Sequence, residues 1–248
     1  MGEAGLVLEA VILAAGRGQR MEGVAKPFYK PMLEINGIPL LGYAIEYASV
    51  AGAEKVTVVV SPHNVEYVGD VVTPYSSWVE IAVQEEPLGP GHAAMIGMKK
   101  VKSNKTMLLM SDNIMDGGTV AEMANSCVVT GTNAVGTREV SLDKAGRFTR
   151  IRYNSGRGYV YVENTPVTDE DAWPSTGKAV VWCGPLVYET ELAFSVFSRE
   201  FSTLSSGELK IGPHLNEIMS GPTVLVDVHA MDVGIPVEYE YAKNGDKQ

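Results

Sequence analysis

The stretch VILAAGRGQRM, residues 11–21, decides the fold. Its first five residues are apolar, the run stops at Gly16, and two arginines, Arg17 and Arg20, follow within a few positions. An apolar strand that ends in a glycine-bearing turn is typical of a parallel α/β sheet, in which ligands bind beyond the carboxyl ends of the strands. Gly16 and Gly18 allow backbone N–H groups to approach a phosphate closely, and Arg20 adds a charge-assisted contact.

The turn differs from two widespread phosphate-binding motifs. Met21 stands where the dinucleotide-binding fingerprint requires its third glycine. No Gly-Lys-Ser/Thr follows, as it would in a P-loop. The sequence therefore indicates neither a dehydrogenase nor a P-loop nucleotidase.

Composition and charge limit the class of protein. The chain has 248 residues, of which 45% are hydrophobic, enough to bury the core of one α/β domain. The formal net charge of -10 argues against broad binding to nucleic acid or to an anionic membrane. No apolar run is long enough to cross a membrane, and the first residues lack a basic signal-peptide start. Two cysteines, Cys127 and Cys183, give no disulfide pattern, which indicates a reduced, cytoplasmic setting.

Apolar runs alternate with helical patterns in the first half of the chain. The runs predict strands at residues 9–15, 55–61, 79–84 and 106–112. The helical patterns cover residues 39–53, 63–72 and 89–100. This order predicts an α/β fold with a mostly parallel sheet and helices on both sides, and the continuous apolar strands fit burial on both faces.

The second half has more strands and turns. Strands are predicted at residues 132–137, 147–153, 158–164, 178–188 and 223–233, with helices from about residue 189 and near 213–220. An exposed acidic loop is predicted over residues 163–178. We expect one domain over residues 1–248, with a first half at 1–130 and a β-rich second half at 131–248.

A second stretch strengthens the interpretation of the first. Together with LAAGRGQRM, the segment KPFYKPMLEINGIPLL at residues 26–41 resembles the signature of the nucleotidyltransferases that make nucleotide sugars. The resemblance implies a Rossmann-like, three-layer α/β/α fold, with a nucleotide-binding half at residues 1–130 and an acceptor-binding half at 131–248. It also implies that Arg20 and Lys30 are the catalytic arginine and lysine, because the Gly-x-Pro-Leu segment follows Lys30 at the family spacing. Lys26 is a second candidate for the lysine, and the choice stays open.

Three further segments match the same family in the correct order. QEEPLGPGHAA, residues 84–94, resembles the base-reading segment. LLMSDNIM resembles the segment whose aspartate holds magnesium, which implies this role for Asp112. GELKIGPH and the later MDVGIP resemble the end of the thymidylyltransferase core, where Asp232 takes the position of the second Mg²⁺ ligand. The residues that the resemblance assigns to nucleotide binding are Leu13, Ala14, Ala15, Gly16, Gly18, Gln84, Leu88 and Gly89.

The implied chemistry explains why these residue types occur together. An oxygen of a sugar-1-phosphate attacks the α-phosphorus of a nucleoside triphosphate, and pyrophosphate leaves. Because both reactants are anionic, the protein mainly has to position them and neutralise charge. Arg20 would hold the leaving phosphates, Lys30 the α-phosphate, and the two aspartates a Mg²⁺ ion, which prefers few carboxylates plus phosphate oxygens.

The acceptor half departs from the family pattern. The relatives carry a Glu-Lys-Pro, whereas the nearest text here is Glu-Asn-Thr-Pro from residue 163. We expect Glu163 to keep the sugar contact and Lys178 to replace the missing lysine. The acceptor is a sugar-1-phosphate, phosphocholine or another phosphorylated alcohol, and Gln84 does not separate thymine, uracil and cytosine. The alternatives are a phosphocholine-type cytidylyltransferase and a non-catalytic nucleotide sensor, and related enzymes are often homo-oligomers.

Overall fold

The stretch around Val11 forms the first strand of a nine-stranded central sheet. The structure is a computed structural model that describes residues 7–16, 29–154, 158–163, 165–205, 207–233 and 235–244. Among these residues, no helix has the combined length and apolar character that a membrane crossing requires.

The elements follow the alternation expected from the sequence. In the first part of the chain they are β1 (Leu8–Leu13), β2 (Glu34–Ile35), β3 (Ile38–Pro39), α1 (Leu40–Val50), β4 (Val56–Val60), α2 (Val65–Val72), β5 (Val79–Val83), α3 (Pro90–Met98), β6 (Lys105–Met110), β7 (Asn113–Ile114) and α4 (Gly117–Thr130). The remainder are β8 (Asn133–Val140), α5 (Leu142–Ala145), β9 (Arg150–Asn154), β10 (Gly158–Val162), β11 (Ala179–Glu189), α6 (Thr190–Thr203), α7 (Leu215–Ile218), β12 (Thr223–Asp227), β13 (Met231–Asp232) and α8 (Pro236–Asn244). Single 3-10 turns occur at Lys30–Met32, Thr73–Tyr75, Asp169–Asp171 and Gly212–His214.

The central sheet is mostly parallel. Its main path is β10-β9-β11-β6-β1-β4-β5, with β8 pairing with β11 and β12 beside that path. Strands β6, β1, β4 and β5 are mutually parallel, β12 is parallel to β8, and β11 is antiparallel to β6, β8 and β9. Since β10 is antiparallel to β9, seven strands of the described sheet run one way and β10 and β11 run the other.

Helices cover both faces of the sheet. In β1, Ala10 and Ile12 pack into a core with α1, α2 and α4, whereas Val11 and Leu13 pack into a second core with α3, α6 and α7. Successive side chains of a strand point to opposite faces, so apolar residues at every position bury both sides of the strand. The predicted three-layer α/β/α arrangement is confirmed.

One predicted strand is divided in the structure. The sequence predicted a single strand over residues 223–233, but β12 ends at Asp227. His229 then adopts a positive φ of 48°, and its N–H donates to Asp227 Oδ1 at 3.0 Å. This turn directs the chain away from β8, so that β13 pairs with β7 in a separate two-stranded sheet. The division matters for function because it carries Asp232 towards Asp112.

A buried ion pair holds the acidic loop, residues 165–178, against the sheet. Arg150 of β9 is only 1% exposed, and its Nε donates to Asp171 Oδ1 at 2.9 Å. Asp171 is also buried, and Arg152 Nε donates to the same oxygen at 2.8 Å. Trp173 adds a second anchor, since its Nε1 donates to a carbonyl of β9 at 2.9 Å. The loop predicted to be exposed is therefore fixed at two points.

Replacing Asp171 with Asn is expected to destabilise the fold by about 3–5 kcal/mol, because Arg150 loses its buried counter-charge. Glu170→Gln is the matched control. Glu170 pairs with Arg152 at 2.8 Å but is 79% exposed on its side chain, so its loss should cost less than about 1 kcal/mol. Urea unfolding followed by circular dichroism measures both changes. Equal losses of stability in the two variants would show that burial of the Arg150–Asp171 pair does not determine its contribution to stability.

The Asp171 carboxylate makes the stability of the fold depend on pH, and the direction of its pKa shift gives the sign of this dependence. Burial raises the pKa of Asp171, but hydrogen bonds from Arg152, the Thr168 backbone N–H and Arg150 together outweigh burial, so its folded-state pKa lies below its usual value. Its stabilising contribution is complete above an unfolded-state pKa of about 3.9 and is lost as the pH falls through the folded-state value. Asp171→Asn should therefore flatten the acid side of the stability curve.

Candidate active site

Two carboxylates meet at the carboxyl end of the central sheet. Asp112 follows β6 by two residues, at the strand end where the sequence placed it. In the β7–β13 pair, Asp232 lies opposite Asn113, and the Val233 N–H donates to the carbonyl of Asp112 at 2.9 Å. The short antiparallel pair therefore brings together two aspartates that are far apart in sequence.

Lys30 lies between these two carboxylates. It begins the 3-10 turn Lys30–Met32, and its side chain is 12% exposed. Its Nζ forms an ion pair with Asp112 Oδ2 and lies 4.0 Å from Asp232 Oδ1. Burial raises the pKa of Asp232, the neighbouring Asp112 raises it further, and Lys30 opposes both effects. Asp112 and Asp232 thus form a half-buried pair of like charges, and a nearby cation is needed to keep both carboxylates ionised.

The end of β1 is anchored beside this pair. Leu13, Ala14 and Ala15 are buried, whereas Gly16 is exposed. Ser111 donates its N–H to the carbonyl of Leu13 at 3.2 Å. The fully buried Asn64 donates its Nδ2 to the carbonyl of Ala14 at 2.8 Å, which fixes where the strand ends. The remaining predicted residues of this turn, Gly18 and Arg20, and the alternative lysine Lys26 lie outside the described residues.

The segment that the sequence assigned to the base forms a closed loop. Gln84 is buried, and its Nε2 donates to the carbonyl of Gly89 at 3.0 Å and lies 3.1 Å from His92 Nδ1. Burial lowers the pKa of His92, and its ring stacks on Phe201 with centroids 4.6 Å apart. The neutral ring accepts the amide hydrogen. Through these two contacts, the Gln84 amide nitrogen stabilises the loop that contains Leu88 and Gly89.

Leu209 joins this loop to the segment GELK, residues 207–210. The Leu209 N–H donates to the carbonyl of Leu88 at 2.8 Å, and the carbonyl of Leu209 accepts from the Gly91 N–H at 2.7 Å. Gly89 has φ 94° and ψ 172°, and a Cβ there would lie 2.7 Å from the Leu209 carbonyl oxygen. Only glycine fits this close approach without strain.

A cavity of about 470 Å³ opens beside the two carboxylates. Both halves of the chain line it, on either side of the boundary expected near residue 130. The lining residues that carry polar or aromatic groups include Asp112, Asn113, Asp232, Arg147, Phe148, Thr149, Glu163, Trp182, Glu208 and Lys210.

Glu163, the expected acceptor contact, lies in this cavity. Its Oε2 accepts from Thr149 Oγ1 at 2.9 Å, and its Oε1 lies 3.6 Å from Lys210 Nζ. A Cβ at Gly212 would overlap the Glu163 carboxylate, so glycine leaves the space that this side chain occupies.

Lys178, the other expected acceptor contact, does not line the cavity. Its side chain is 58% exposed and lies 3.7 Å from Glu139. The reason is its place just before β11, whose later residue Cys183 reaches the cavity. At about 3.3 Å per strand residue, five residues separate the two positions by about 16 Å. The lysine that lines the cavity beside Glu163 is Lys210, in the place that the sequence analysis expected for Lys178.

Lys210, Arg147 and Trp182 are among the cavity residues that sequence reasoning missed. A signal existed for Lys210, because it replaces the second glutamate of the family's Gly-Glu-Leu-Glu. Arg147 lies in a turn whose position depends on long-range packing, and no local pattern marks it. Trp182 precedes a register shift between Trp182 and Leu186 in β11, which no sequence pattern indicated. Of the described residues, no group of three or more His, Cys, Asp or Glu side chains forms a metal-binding cluster.

This fold and site define a nucleotidyltransferase-type chain. A family sequence model described as the MobA-like NTP transferase domain matches residues 10–188. The chain belongs to this family. The match includes most of β1, Lys30, the Gln84 loop and Asp112, and it ends before Asp232.

Curated relatives agree with the motif-based resemblance. The bifunctional protein GlmU of Trichlorobacter lovleyi is 29% identical over 183 residues, covering 72% of this chain and 38% of that protein. The glucose-1-phosphate thymidylyltransferase of Neisseria meningitidis is 22% identical over 208 residues, covering 82% of this chain and 68% of that protein. The chain thus spans 38% of the length of the GlmU relative. The predicted resemblance to the sugar-phosphate nucleotidyltransferases is confirmed.

Solved structures agree on the fold. A UDP-glucose pyrophosphorylase complexed with UDP-glucose has a TM-score of 0.73 at 19% identity, covering 96% of this chain and 97% of that chain. A putative glucose-1-phosphate thymidylyltransferase from Bacillus anthracis, in complex with a sucrose, has a TM-score of 0.75 at 17% identity, covering 96% and 94%. The Rossmann-like nucleotidyltransferase fold expected from the motifs is confirmed.

The close contact at Gly89 gives a stability prediction. Gly89→Ala should destabilise the chain more than Gly52→Ala does, by about 1–3 kcal/mol, because its Cβ collides with the Leu209 backbone. Gly52→Ala is the control for a positive-φ glycine with free space around it, since Gly52 has φ 75° and no atom lies within 4 Å of the position that an added Cβ would take. The φ of 94° and ψ of 172° at Gly89 add backbone strain to the collision, which acts in the same direction. Urea unfolding of both variants measures the difference. Equal losses would mean that the loop moves away from Leu209 at little cost.

Proposed function

We propose that this chain is a Mg²⁺-dependent nucleotidyltransferase that joins a nucleoside triphosphate to a sugar-1-phosphate, giving a nucleotide-diphospho-sugar and pyrophosphate. The observation that carries the proposal is the position of Lys30 between Asp112 and Asp232, at the edge of a cavity that also contains Glu163 and Lys210. The family membership and the named activities of the relatives support the same reaction.

The reaction needs positioning and charge neutralisation more than proton transfer. A phosphate oxygen of the acceptor forms a bond to the α-phosphorus of the nucleotide, and the bond from that phosphorus to the pyrophosphate oxygen breaks. The attacking oxygen is already ionised near neutral pH, so no general base is required. Lys30 would stabilise the charge that develops on the α-phosphate. Arg20, which lies outside the described residues, is proposed to hold the leaving phosphates.

The donors at the carboxylate pair fit a magnesium ion. Mg²⁺ takes one or two protein carboxylates together with substrate phosphate oxygens, and Asp112 and Asp232 offer this set. Burial raises the pKa of Asp232 and repulsion from Asp112 raises it further, and a bound cation would relieve that repulsion. When bound, the metal ion would supply positive charge for the phosphates of the nucleotide. Lys30 holds the two carboxylates in place for that role.

Nucleotide and acceptor are proposed to occupy neighbouring parts of the site. Leu13, Ala14, Ala15, Gly16 and Gly18 would contact the nucleotide from the end of β1, and the backbone at Leu88 and Gly89 would contact its base. Gln84 supports this loop from within through its hydrogen bond to Gly89. Glu163 and Lys210 would bind the acceptor. Lys210 replaces Lys178 in this proposal, because Lys178 lies away from the cavity.

Lys30→Met is expected to lower the rate of pyrophosphate release by about 10²–10³-fold, because the charge on the α-phosphate loses its partner. Lys55→Met is the matched control, since Lys55 is exposed just before the opposite, amino end of β4. The assay measures pyrophosphate release with Mg²⁺ for dTTP, UTP, CTP, ATP and GTP against sugar-1-phosphates and phosphocholine. Asp112→Asn should abolish the same activity.

The outcomes of this assay separate the candidate functions. Release with a sugar-1-phosphate supports the proposal and identifies both substrates. Release with CTP and phosphocholine alone would assign the cytidylyltransferase. Magnesium-dependent nucleotide binding without release from any pair would favour the nucleotide sensor.

Lys210→Met is expected to raise the KM for the acceptor by about tenfold or more, because a cation–phosphate hydrogen bond is lost in the cavity. Lys178→Met should leave that KM unchanged within about twofold. The KM for the nucleotide serves as the internal control in both variants. If Lys178→Met raised the acceptor KM more than Lys210→Met did, Lys178 would be the lysine that binds the acceptor, as the sequence analysis expected.

A cytoplasmic setting, homo-oligomer formation and the one-domain organisation in two halves stay predictions. The two cysteines, Cys127 and Cys183, are free and buried, which supports the reduced setting. Burial raises the pKa of the Cys183 thiol to about 12, so this cavity residue is expected to be a thiol and not a nucleophile.

A further inference from the structure

Arg147 is a cavity residue to which neither the sequence motifs nor the proposed reaction assign a role. It follows α5 and precedes β9, and its side chain is 45% exposed. Its Nη2 lies 3.3 Å from Glu238 Oε1. Its guanidinium also lies over the ring of Phe148, 5.6 Å from the centroid. A neighbouring arginine, Arg138, lies 5.0 Å from the same ring, but its Nη1 already donates to the carbonyl of Ala230 at 3.0 Å.

Glu238 places this guanidinium close to the carboxylate pair. It lies in the first turn of α8, directly after the segment that carries Asp232, and its Oε2 accepts from the Ile235 N–H at 3.1 Å. Asp112, Asp232 and Arg147 all line the same cavity. Arg147 therefore shares the cavity both with Glu163 and Lys210, the proposed acceptor contacts, and with the carboxylate pair where phosphoryl transfer is proposed to occur.

Both cations of the cavity lie beside a carboxylate in a partly exposed ion pair. Of the described residues that line it, the lysines and arginines are Arg147 and Lys210. The side chains of Lys210 and Glu163 are 50% and 21% exposed, and those of Arg147 and Glu238 are 45% and 22% exposed. Exposed ion pairs contribute little to stability, so an incoming anion can displace Glu238 at small cost. A guanidinium binds phosphate through two parallel hydrogen bonds, which a single carboxylate oxygen at 3.3 Å does not match.

We propose that Arg147 binds the phosphate of the acceptor and that Glu238 occupies its guanidinium until the acceptor arrives. The inference rests on the proposed function for the identity of the acceptor. Phosphate recognition by Arg147 stands separately, because it depends only on the cavity and on the ion pair. Glu238 competes with the acceptor phosphate for the Arg147 guanidinium, so removing the charge of Glu238 should strengthen phosphate binding.

Two variants with opposite effects test this assignment. Arg147→Gln should raise the KM for the acceptor by about 10–100-fold and leave the KM for the nucleotide within about twofold. Glu238→Gln keeps an oxygen for the Ile235 N–H but removes the competing charge, so it should lower the acceptor KM by about two- to fivefold. Glu240→Gln, an exposed change on the same helix, should alter neither constant. A purely structural ion pair would instead make both Arg147→Gln and Glu238→Gln raise the KM.

A binding measurement keeps the test independent of turnover. Inorganic phosphate, the group common to every candidate acceptor, is titrated into the full chain while the arginine Nε–Hε signals are followed by NMR. The Arg147 signal should shift in the wild type, disappear in Arg147→Gln and respond at lower phosphate concentration in Glu238→Gln. An Arg147 signal that does not respond, or a weaker response in Glu238→Gln, would overturn the assignment. Phosphate binding of the expected pattern without pyrophosphate release from any substrate pair would support Arg147 and refute the proposed reaction.

Discussion

The contact of Lys30 with two aspartates is the constraint on which the site depends. Asp112 and Asp232 repel each other in a half-buried position, and their repulsion is tolerable only if a cation lies between them. Three separate parts of the chain must therefore be placed together: the end of β6, the 3-10 turn at Lys30 and the short strand β13. The β7–β13 pair supplies the backbone hydrogen bonds that hold this arrangement.

The rest of the fold positions this contact. Parallel strands place their carboxyl ends at one edge of the sheet, so β1, β4 and β6 deliver their following loops to the same place. The loop after β5 is then tied to the acceptor side through both backbone groups of Leu209, whose neighbours Glu208 and Lys210 line the cavity. Gly89 and Gly91 pack directly on this backbone, so the loop after β5 and the segment of residues 207–210 are held in close contact.

The sequence predicted those features that local patterns determine. Strands buried on both faces appear as continuous apolar runs, so β1, β4, β5 and β6 were found, and Asp112 was identified from the resemblance of LLMSDNIM to the family segment. The division of the last strand was not predictable, since the run TVLVDVHAMDV continues without a glycine or proline and the positive φ of His229 leaves no mark in the sequence. Lys178 was expected at the acceptor, but which lysine reaches the cavity depends on long-range placement, and the structure has Lys210 there. The role of Gln84 within its own loop likewise depends on the fold around His92.

The electrostatics of the site explain how an acidic chain can bind anions. With a net charge of -10, the protein repels phosphates at long range, and recognition has to come from cations placed at short range. In the described part of the site, Lys30, Lys210 and Arg147 each lie beside a carboxylate, Asp112, Glu163 and Glu238 respectively. These pairs keep long, flexible side chains near their working positions, which reduces the entropy lost on binding. In the proposed reaction an incoming phosphate would exchange one anion for another, and its affinity would be the difference between the two contacts. We expect a dianionic phosphate to compete with the carboxylate better than a monoanion does, because its greater charge strengthens the contact with the cation.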